Sequence, residues 1–165
     1  MGQPATKTSP APEGRKKCLT PSRTSSRTVI FSTKERSPLI DAELRPKLHA
    51  YLGGIVRELN GTTIIINGTD DHVHLLVSMP ATISVSDAMR VLKTNSSKWV
   101  HDTRRKPFGW QAGYGAFSVS KSNVEAVSRY IADQEEHHRK VSFKEEFVSF
   151  LKKHGVEYDE RFIWG

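Results

Sequence analysis

The stretch Asp71-His72-Val73-His74-Leu75-Leu76-Val77 decides how the rest of the sequence is interpreted. In a β-strand the side chains alternate between two faces, so both imidazoles are predicted on one face and Val73, Leu75 and Val77 on the other. Two imidazoles on one face can bind the same divalent metal ion, and such an ion can activate a phosphate or a water molecule. The same pattern also fits two histidines that only pack and form hydrogen bonds.

The sequence on both sides of this stretch predicts an α+β fold. Helical spacing, strand alternation and turn residues together indicate eight elements. They are a strand over 28–33, a helix over 41–59, strands over 62–67 and 72–80, a helix from 84 or 86 to 101, a strand over 114–119, and helices over about 122–137 and 142–154. This order predicts a ferredoxin-like split βαβ fold, an antiparallel four-stranded sheet with helices on one face, followed by a C-terminal helix.

Composition and charge divide the chain into two parts. Residues 1–27 are rich in Pro, Ser, Thr, Lys and Arg, and they hold five of the seven net positive charges. Such a segment buries too little apolar surface to fold, so it is predicted to be a disordered basic tail before a single folded domain over 28–165. No apolar run approaches the ~20 residues that span a bilayer. The single cysteine, Cys18, fits a reducing cytoplasm.

Tyr130 and Gln134 lie four residues apart in the helix predicted over 122–137, so they share one face of it. A tyrosine beside a metal-bound phosphate can serve as a nucleophile, and the carbonyl oxygen of a glutamine could complete a metal site. However, a tyrosine in an amphipathic helix usually belongs to the core, and an exposed glutamine is common on helices. The pair therefore gains meaning only together with His72 and His74.

Besides His72, His74, Tyr130 and Gln134, six blocks of sequence distributed along most of the chain are informative. They are IFSTK (30–34), YLGGI (51–55), DHVHLL (71–76), LKTNSSKW (92–99), WQAGYGAFSVS (110–120) and YIADQEEHH (130–138). With these blocks the chain resembles the HUH single-strand DNA transposases with one catalytic tyrosine, the insertion-sequence 200/605-like type and its repeat-associated relatives. The resemblance runs in order from about residue 29 to residue 165, and it implies that residues 28–165 form an HUH transposase catalytic domain.

The resemblance also implies a mechanism and a role for each residue. His72, His74 and Gln134 would bind Mg²⁺ or Mn²⁺, and Tyr130 would attack the scissile phosphate to form a 5′-phosphotyrosine link. A different 3′-hydroxyl would then displace the tyrosine and rejoin the DNA. Members of the family act on single-stranded DNA hairpins at the ends of mobile elements, and many of them are homodimers. Imidazole ligands by themselves would equally suit Zn²⁺.

A local basic stretch is the candidate for DNA contact, because residues 28–165 carry only two net positive charges. The candidate residues are Lys93, Asn95, Lys98, Arg104, Arg105 and, in the same loop, Lys106. A solvated helix face and loop would give the same charge pattern. Asp71, which precedes the histidine pair, could orient a histidine or be a solvated turn residue.

One departure from the family pattern affects the functional interpretation. The first strand of the family is normally longer, whereas only residues 28–31 are clear strand residues here, and a shortened strand would impair the protein. Three functions therefore stay open: a transposase, which the site favours; a domesticated or inactive relative that binds hairpin DNA without cleavage; and an RNA-processing phosphoesterase on the same type of sheet. The last would need two separated histidine motifs, and the sequence has one.

Overall fold

The computed structural model describes residues 24–134 and four single positions beyond them, Glu145, Val148, Ser149 and Lys152. The strands are β1 Thr24–Ser32, β2 Thr62–Gly68, β3 His72–Pro80 and β4 Gly115–Ser118, and the helices are α1 Leu44–Glu58, α2 Val85–Arg104 and α3 Val124–Ala132. The strands form one antiparallel sheet in the order β2-β3-β1-β4. The predicted α+β class and four-stranded sheet are confirmed. The helix predicted over 142–154 lies outside the described residues.

Side chains fix the ends of the helices. The hydroxyl oxygen of Ser84 accepts a hydrogen bond from the Asp87 N–H at 3.1 Å and caps α2. The carboxylate of Asp41 accepts a hydrogen bond from the Leu44 N–H at 2.7 Å, where α1 begins. After α1, Asn60 takes a φ of 58°, the left-handed conformation that turns the chain towards β2. In the described part of the chain, no helix is long and apolar enough to cross a membrane.

The first strand is longer than the sequence predicts. β1 begins at Thr24 and has nine residues, so it takes in residues 24–27, which the sequence assigns to the tail. It pairs with β3 over its whole length, from Thr24 opposite Pro80 to Ser32 opposite His72. The ladder is made by backbone groups, so the polar side chains at the start of the strand do not prevent it. The expectation of a shortened first strand is therefore wrong, and residues 1–23 lie outside the described part.

The two faces of the sheet are covered by different helices. Val73, Leu75 and Val77 belong to the main apolar core, together with the buried residues of α1 and α2. His72 and His74 leave β3 on the opposite face, against which α3 packs. The alternation predicted for β3 is confirmed, but the arrangement of helices on one face holds only for α1 and α2. Since β3 is buried on both faces, a second layer has to cover the histidines.

Candidate active site

His72 and His74 lie on a central strand of the sheet, with β1 on one side and β2 on the other. Their side chains are buried, with 1% and 0% of their surface exposed. The centroids of the two rings are 5.1 Å apart, and the ring planes cross at 71°. The structure therefore brings the two imidazoles together on one face, as the alternation predicts.

A polar network holds one edge of the His72 ring. Its Nδ1 lies 2.6 Å from Oδ1 of Asp71 and 2.9 Å from the hydroxyl oxygen of Thr69. The Thr69 hydroxyl also donates to the same carboxylate oxygen at 2.9 Å. Because an ionised carboxylate only accepts hydrogen bonds, His72 donates through Nδ1–H, and a cation would bind this ring through Nε2. Asp71 therefore contacts the histidine that it is predicted to orient.

Arg36 in turn holds Asp71. Its guanidinium donates to Oδ2 of Asp71 through Nε at 3.1 Å and through Nη2 at 2.5 Å. Burial raises the pKa of Asp71, but the hydrogen bond and charge of His72, together with Arg36, lower that pKa by more, to well below its ordinary 3.8. Asp71 is consequently a carboxylate at neutral pH.

Asn67 fixes the end of α3 above the histidines. It lies opposite His74 in the β2–β3 pairing, and its side-chain amide donates to the carbonyl oxygens of Ile131 and Ala132, both at 2.9 Å. The last carbonyls of a helix have no partner within it, so this amide caps α3. α3 ends at Ala132. A turn at Asp133 interrupts the helix predicted to about residue 137, Gln134 is helical again, and residues 135–137 lie outside the described part.

Tyr130 and Gln134 stay together despite this break. The side-chain amide nitrogen of the fully buried Gln134 donates to the backbone carbonyl of Tyr130 at 3.3 Å, a bond that does not use the amide oxygen. The ring of Tyr130 lies 6.3 Å from the ring of His74 at an angle of 77°, and its hydroxyl oxygen is buried. Ring contacts thus join His72, His74 and Tyr130 in one cluster, which we call the histidine–tyrosine cluster, and Gln134 is bonded to the backbone of Tyr130.

The donor atoms of this cluster fit a divalent cation. Among the described residues, no three side chains of the His, Cys, Asp or Glu type form a group that could hold a metal ion, and Gln134 is the side chain considered as a third ligand. Two imidazoles and an amide oxygen are suitable ligands, and a carboxylate behind a metal-binding histidine is the usual arrangement. The donor set is therefore compatible with a divalent cation, and it does not distinguish Mg²⁺ or Mn²⁺ from Zn²⁺.

Lys93, a predicted DNA-contact residue, binds within the chain. Its Nζ donates to the backbone carbonyls of residues 111–113 at 2.8, 3.1 and 2.7 Å. It also lies over the rings of Phe31 and Tyr114, 5.5 and 5.3 Å from their centroids. Burial lowers the pKa of Lys93 to about 8. Because an ammonium has three N–H donors, the three carbonyls use all of them and leave none for a phosphate.

Arg104, a second predicted DNA-contact residue, also binds within the chain. Its guanidinium pairs with Asp41 at 2.7 Å and with Glu43 at 3.0 Å. Only 24% of its side-chain surface is exposed. These contacts join the end of α2 to the start of α1, so Arg104 stabilises the packing of the two helices.

The structure does not bring the remaining predicted DNA contacts to the histidine–tyrosine cluster. Asn95 and Lys98 lie on α2, which covers the opposite face of the sheet, and Arg105 ends that helix. Lys98 and Arg105 are exposed, whereas Asn95 is half-buried. Charge along a sequence does not show which face of a sheet a helix will cover, so these residues could not be placed from sequence.

Three residues around the cluster were missed from the sequence. Thr69 had a local signal, because it lies two positions before Asp71 in the same turn. Asn67 could have been found only with the register of the β2–β3 pairing, which places it opposite His74. Arg36 had no signal, since it precedes Asp71 by 35 positions and reaches it through a turn of unusual backbone conformation.

Comparisons with known proteins agree with this arrangement. Residues 24–134 match the family model of IS200-like transposases. The chain resembles the crystal structure of a Deinococcus radiodurans R1 protein assigned as a transposase, with 21% identity and a TM-score of 0.55 over 67% of this chain and 91% of the other. It also resembles a REP-associated tyrosine transposase bound to a REP hairpin, with 15% identity and a TM-score of 0.55 over 71% and 70% of the two chains.

These two structural likenesses show the fold. No curated protein matches the chain in sequence. The family model, by contrast, covers about two thirds of the sequence, including His72, His74, Tyr130 and Gln134. The chain therefore belongs to the family of IS200-like transposases.

Proposed function

We propose that this chain is a metal-dependent transposase that nicks and rejoins single-stranded DNA at hairpin ends, through a 5′-phosphotyrosine intermediate. The observation that carries the proposal is the contact of Tyr130 with His74, which in turn contacts His72, while the buried Gln134 is bonded to the backbone of Tyr130. A phenol beside two imidazoles is the combination that a tyrosine nucleophile at a metal site requires. Family membership supports transposition of DNA as the reaction class.

Three side chains would hold the metal ion, which we take to be Mg²⁺ or Mn²⁺. They are His72 through Nε2, His74 through a ring nitrogen and Gln134 through its amide oxygen. When bound, the ion supplies positive charge beside the scissile phosphate. Asp71 keeps the proton of His72 on Nδ1 through the hydrogen bond of 2.6 Å, so that Nε2 can act as a ligand.

In the proposed reaction, the phenol oxygen of Tyr130 attacks the phosphorus, and the bond from phosphorus to the 3′-oxygen breaks. The phenol proton is released, and the departing 3′-oxygen takes up a proton to become a hydroxyl. One phosphoester replaces another, so the energy of the bond is kept in the protein–DNA link. Attack by a different 3′-hydroxyl then restores the phenol and joins two DNA ends without a nucleotide cofactor.

The proposed partner is a single-stranded DNA hairpin. A similar tyrosine transposase is bound to a REP hairpin, which supports a substrate of this shape. Lys98 and Arg105 remain candidates for DNA contact because they are exposed, and the half-buried Asn95 lies beside them on α2. A homodimer and a cytoplasmic location complete the proposal, and the single Cys18 is consistent with a reducing compartment.

The test is a search for a covalent protein–DNA species. The full chain is incubated with 3′-labelled single-stranded DNA from the flanks of its own gene, with Mg²⁺ or Mn²⁺, and analysed by denaturing electrophoresis. We expect a labelled band of increased mass that requires the metal ion and disappears in Tyr130→Phe. The label lies on the 3′ side of the break, so it stays with the protein only if the tyrosine holds the 5′-phosphate.

Tyr51→Phe is the matched control. Tyr51 lies on α1, on the other face of the sheet, and its ring stacks on Trp99 with centroids 4.7 Å apart, so the variant keeps this packing and should keep the covalent band. Hairpin binding without a covalent species in either metal would favour a domesticated relative that does not cleave. Cleavage that survives Tyr130→Phe would show that water is the nucleophile and would overturn the proposal.

A further inference from the structure

The turn before α1 holds an arginine in an unusual backbone conformation beside the histidine–tyrosine cluster. Glu35 and Arg36 have φ values of 55° and 54°, in the left-handed region that residues with a Cβ atom rarely adopt. Neither residue is a glycine, an asparagine or an aspartate. Two such residues in succession persist only where neighbouring contacts hold them, and strain of this kind often accompanies a functional site.

The contacts that hold this turn connect it to the site. The N–H of the fully buried Thr33 donates to the backbone carbonyl of Asp71 at 2.8 Å, and its hydroxyl donates to the carbonyl of Ser37 at 2.6 Å. The N–H of Glu35 donates to the side-chain oxygen of Gln111 at 3.2 Å. The turn is therefore tied at one end to the backbone that immediately precedes His72.

The result of this conformation is the position of the Arg36 guanidinium on Asp71. It occupies Oδ2 with two hydrogen bonds and leaves Oδ1 to His72 and Thr69. The pair is partly shielded from water, with 29% of the Arg36 side chain and 16% of the Asp71 side chain exposed. A paired and shielded carboxylate has one orientation, whereas a carboxylate that lacks its cation can rotate and take up water.

We propose that Arg36 is a positioning residue of the candidate active site: by fixing the Asp71 carboxylate, it keeps the His72 proton on Nδ1 and leaves Nε2 as the atom that binds a cation. The consequence for metal binding rests on the proposed function. The position of the His72 proton does not rest on the proposed function, because it is a property of the metal-free chain. Without Arg36, the ring would exchange between its two neutral tautomers, of which only one can bind a cation through Nε2.

Two measurements on the full chain test this role. The ¹⁵N shifts of the His72 ring, recorded without metal, report which nitrogen carries the proton, and calorimetry reports the Kd for Mn²⁺. In the wild type we expect the Nδ1–H tautomer. In Arg36→Ala we expect a mixture of tautomers and a Kd that is about 10- to 100-fold higher. Arg36→Lys, which keeps the charge but not the paired donors, should give an intermediate Kd.

Arg104→Ala is the matched control, because Arg104 also binds carboxylates, has similar exposure and lies away from His72. It should change neither the His72 shifts nor the Kd for Mn²⁺. If Arg36→Ala does not fold, the same two measurements on Arg36→Gln test the positioning role. An unchanged tautomer and an unchanged Kd in these variants overturn the positioning role and leave the proposed function intact. A changed tautomer in a chain whose wild type binds no Mn²⁺ supports the positioning role and refutes the proposed metal site.

Discussion

Gly68 provides the sharpest test of the geometry around the candidate site, because the backbone of the opposite strand leaves no room for a side chain there. A Cβ atom at this position would lie 2.2 Å from the carbonyl oxygen of His72 and 2.9 Å from the Cα atom of Val73. Ordinary contacts of this kind begin at 3.4 Å, so the His72 carbonyl would have to withdraw by more than 1 Å. Both obstructing atoms belong to the backbone, so no side-chain rotation can relieve the contact.

The cost of Gly68→Ala can be worked from this displacement. Forcing an extra carbon into a packed site costs about 1–3 kcal/mol. The same movement weakens the hydrogen bond of 3.1 Å from the Thr69 N–H to the His72 carbonyl, which contributes about 1 kcal/mol more. We therefore expect the free energy of unfolding to fall by about 3 kcal/mol and the Tm to fall by about 10 °C for a domain of this size.

The assay is urea and thermal unfolding followed by circular dichroism, with Gly54→Ala as the control. Gly54 lies within α1, and among the described residues a Cβ atom there would meet only the guanidinium of Arg57 at 3.9 Å. Alanine is favoured over glycine inside a helix by about 0.5–1 kcal/mol, so this variant should be as stable as the wild type or more stable. A Gly68→Ala variant that matched the wild type in both assays would refute the close approach of β2 and β3 beside His72.

Two further predictions concern residues outside the cluster. Lys93→Met removes the ammonium that binds three carbonyls, and we expect it to lower the free energy of unfolding by about 2 kcal/mol. Hydrogen bonds from charged groups each contribute about 1.5–3 kcal/mol, and part of this loss is offset because a charge no longer has to be buried. An unchanged urea midpoint would contradict this prediction. Burial and then the charge of Arg45 lower the pKa of His49 from 6.5 to about 4. Between these pH values the unfolded chain binds a proton that the folded chain does not, so the stability from neutral His49 should be lost as the pH falls from 6.5 to 4. His49→Gln should show a smaller decrease in Tm between pH 7 and pH 4.5 than the wild type. Equal decreases in the two proteins would show that His49 does not cause the pH dependence of stability.

Local patterns in the sequence were enough to predict the elements that lie at the centre of the fold. The alternation in β3 predicted that Val73 and Leu75 would enter the core and that His72 and His74 would share the other face, and both are observed. Such predictions succeed because the direction of a side chain along a strand depends only on its position in that strand. The beginning of β1 was missed because its first residues join the sheet through the partner strand, with no apolar pattern of their own.

The charged residues show what a local sequence pattern cannot predict. The sequence presents Lys93, Lys98 and Arg104 as equivalent cations along a predicted helix and the loop after it. The structure uses Lys93 to hold a loop and Arg104 to join two helices, and of the three only Lys98 is exposed. A long charged side chain can reach partners in several directions. Its partner therefore depends on which segments the fold places within that reach, and a single sequence does not contain this information in any local pattern.

For the candidate site, the sequence by itself determined which chemical groups are available, namely two imidazoles, a phenol and an amide, and that the imidazoles share a face. The tertiary structure decided how these groups are held. It placed α3 on the histidine face, capped its end with Asn67, and brought Arg36 across 35 positions of sequence to Asp71. The physical reason is the range of the interactions: side-chain alternation is set within a few residues, whereas these hydrogen bonds exist only after the sheet has brought distant segments together.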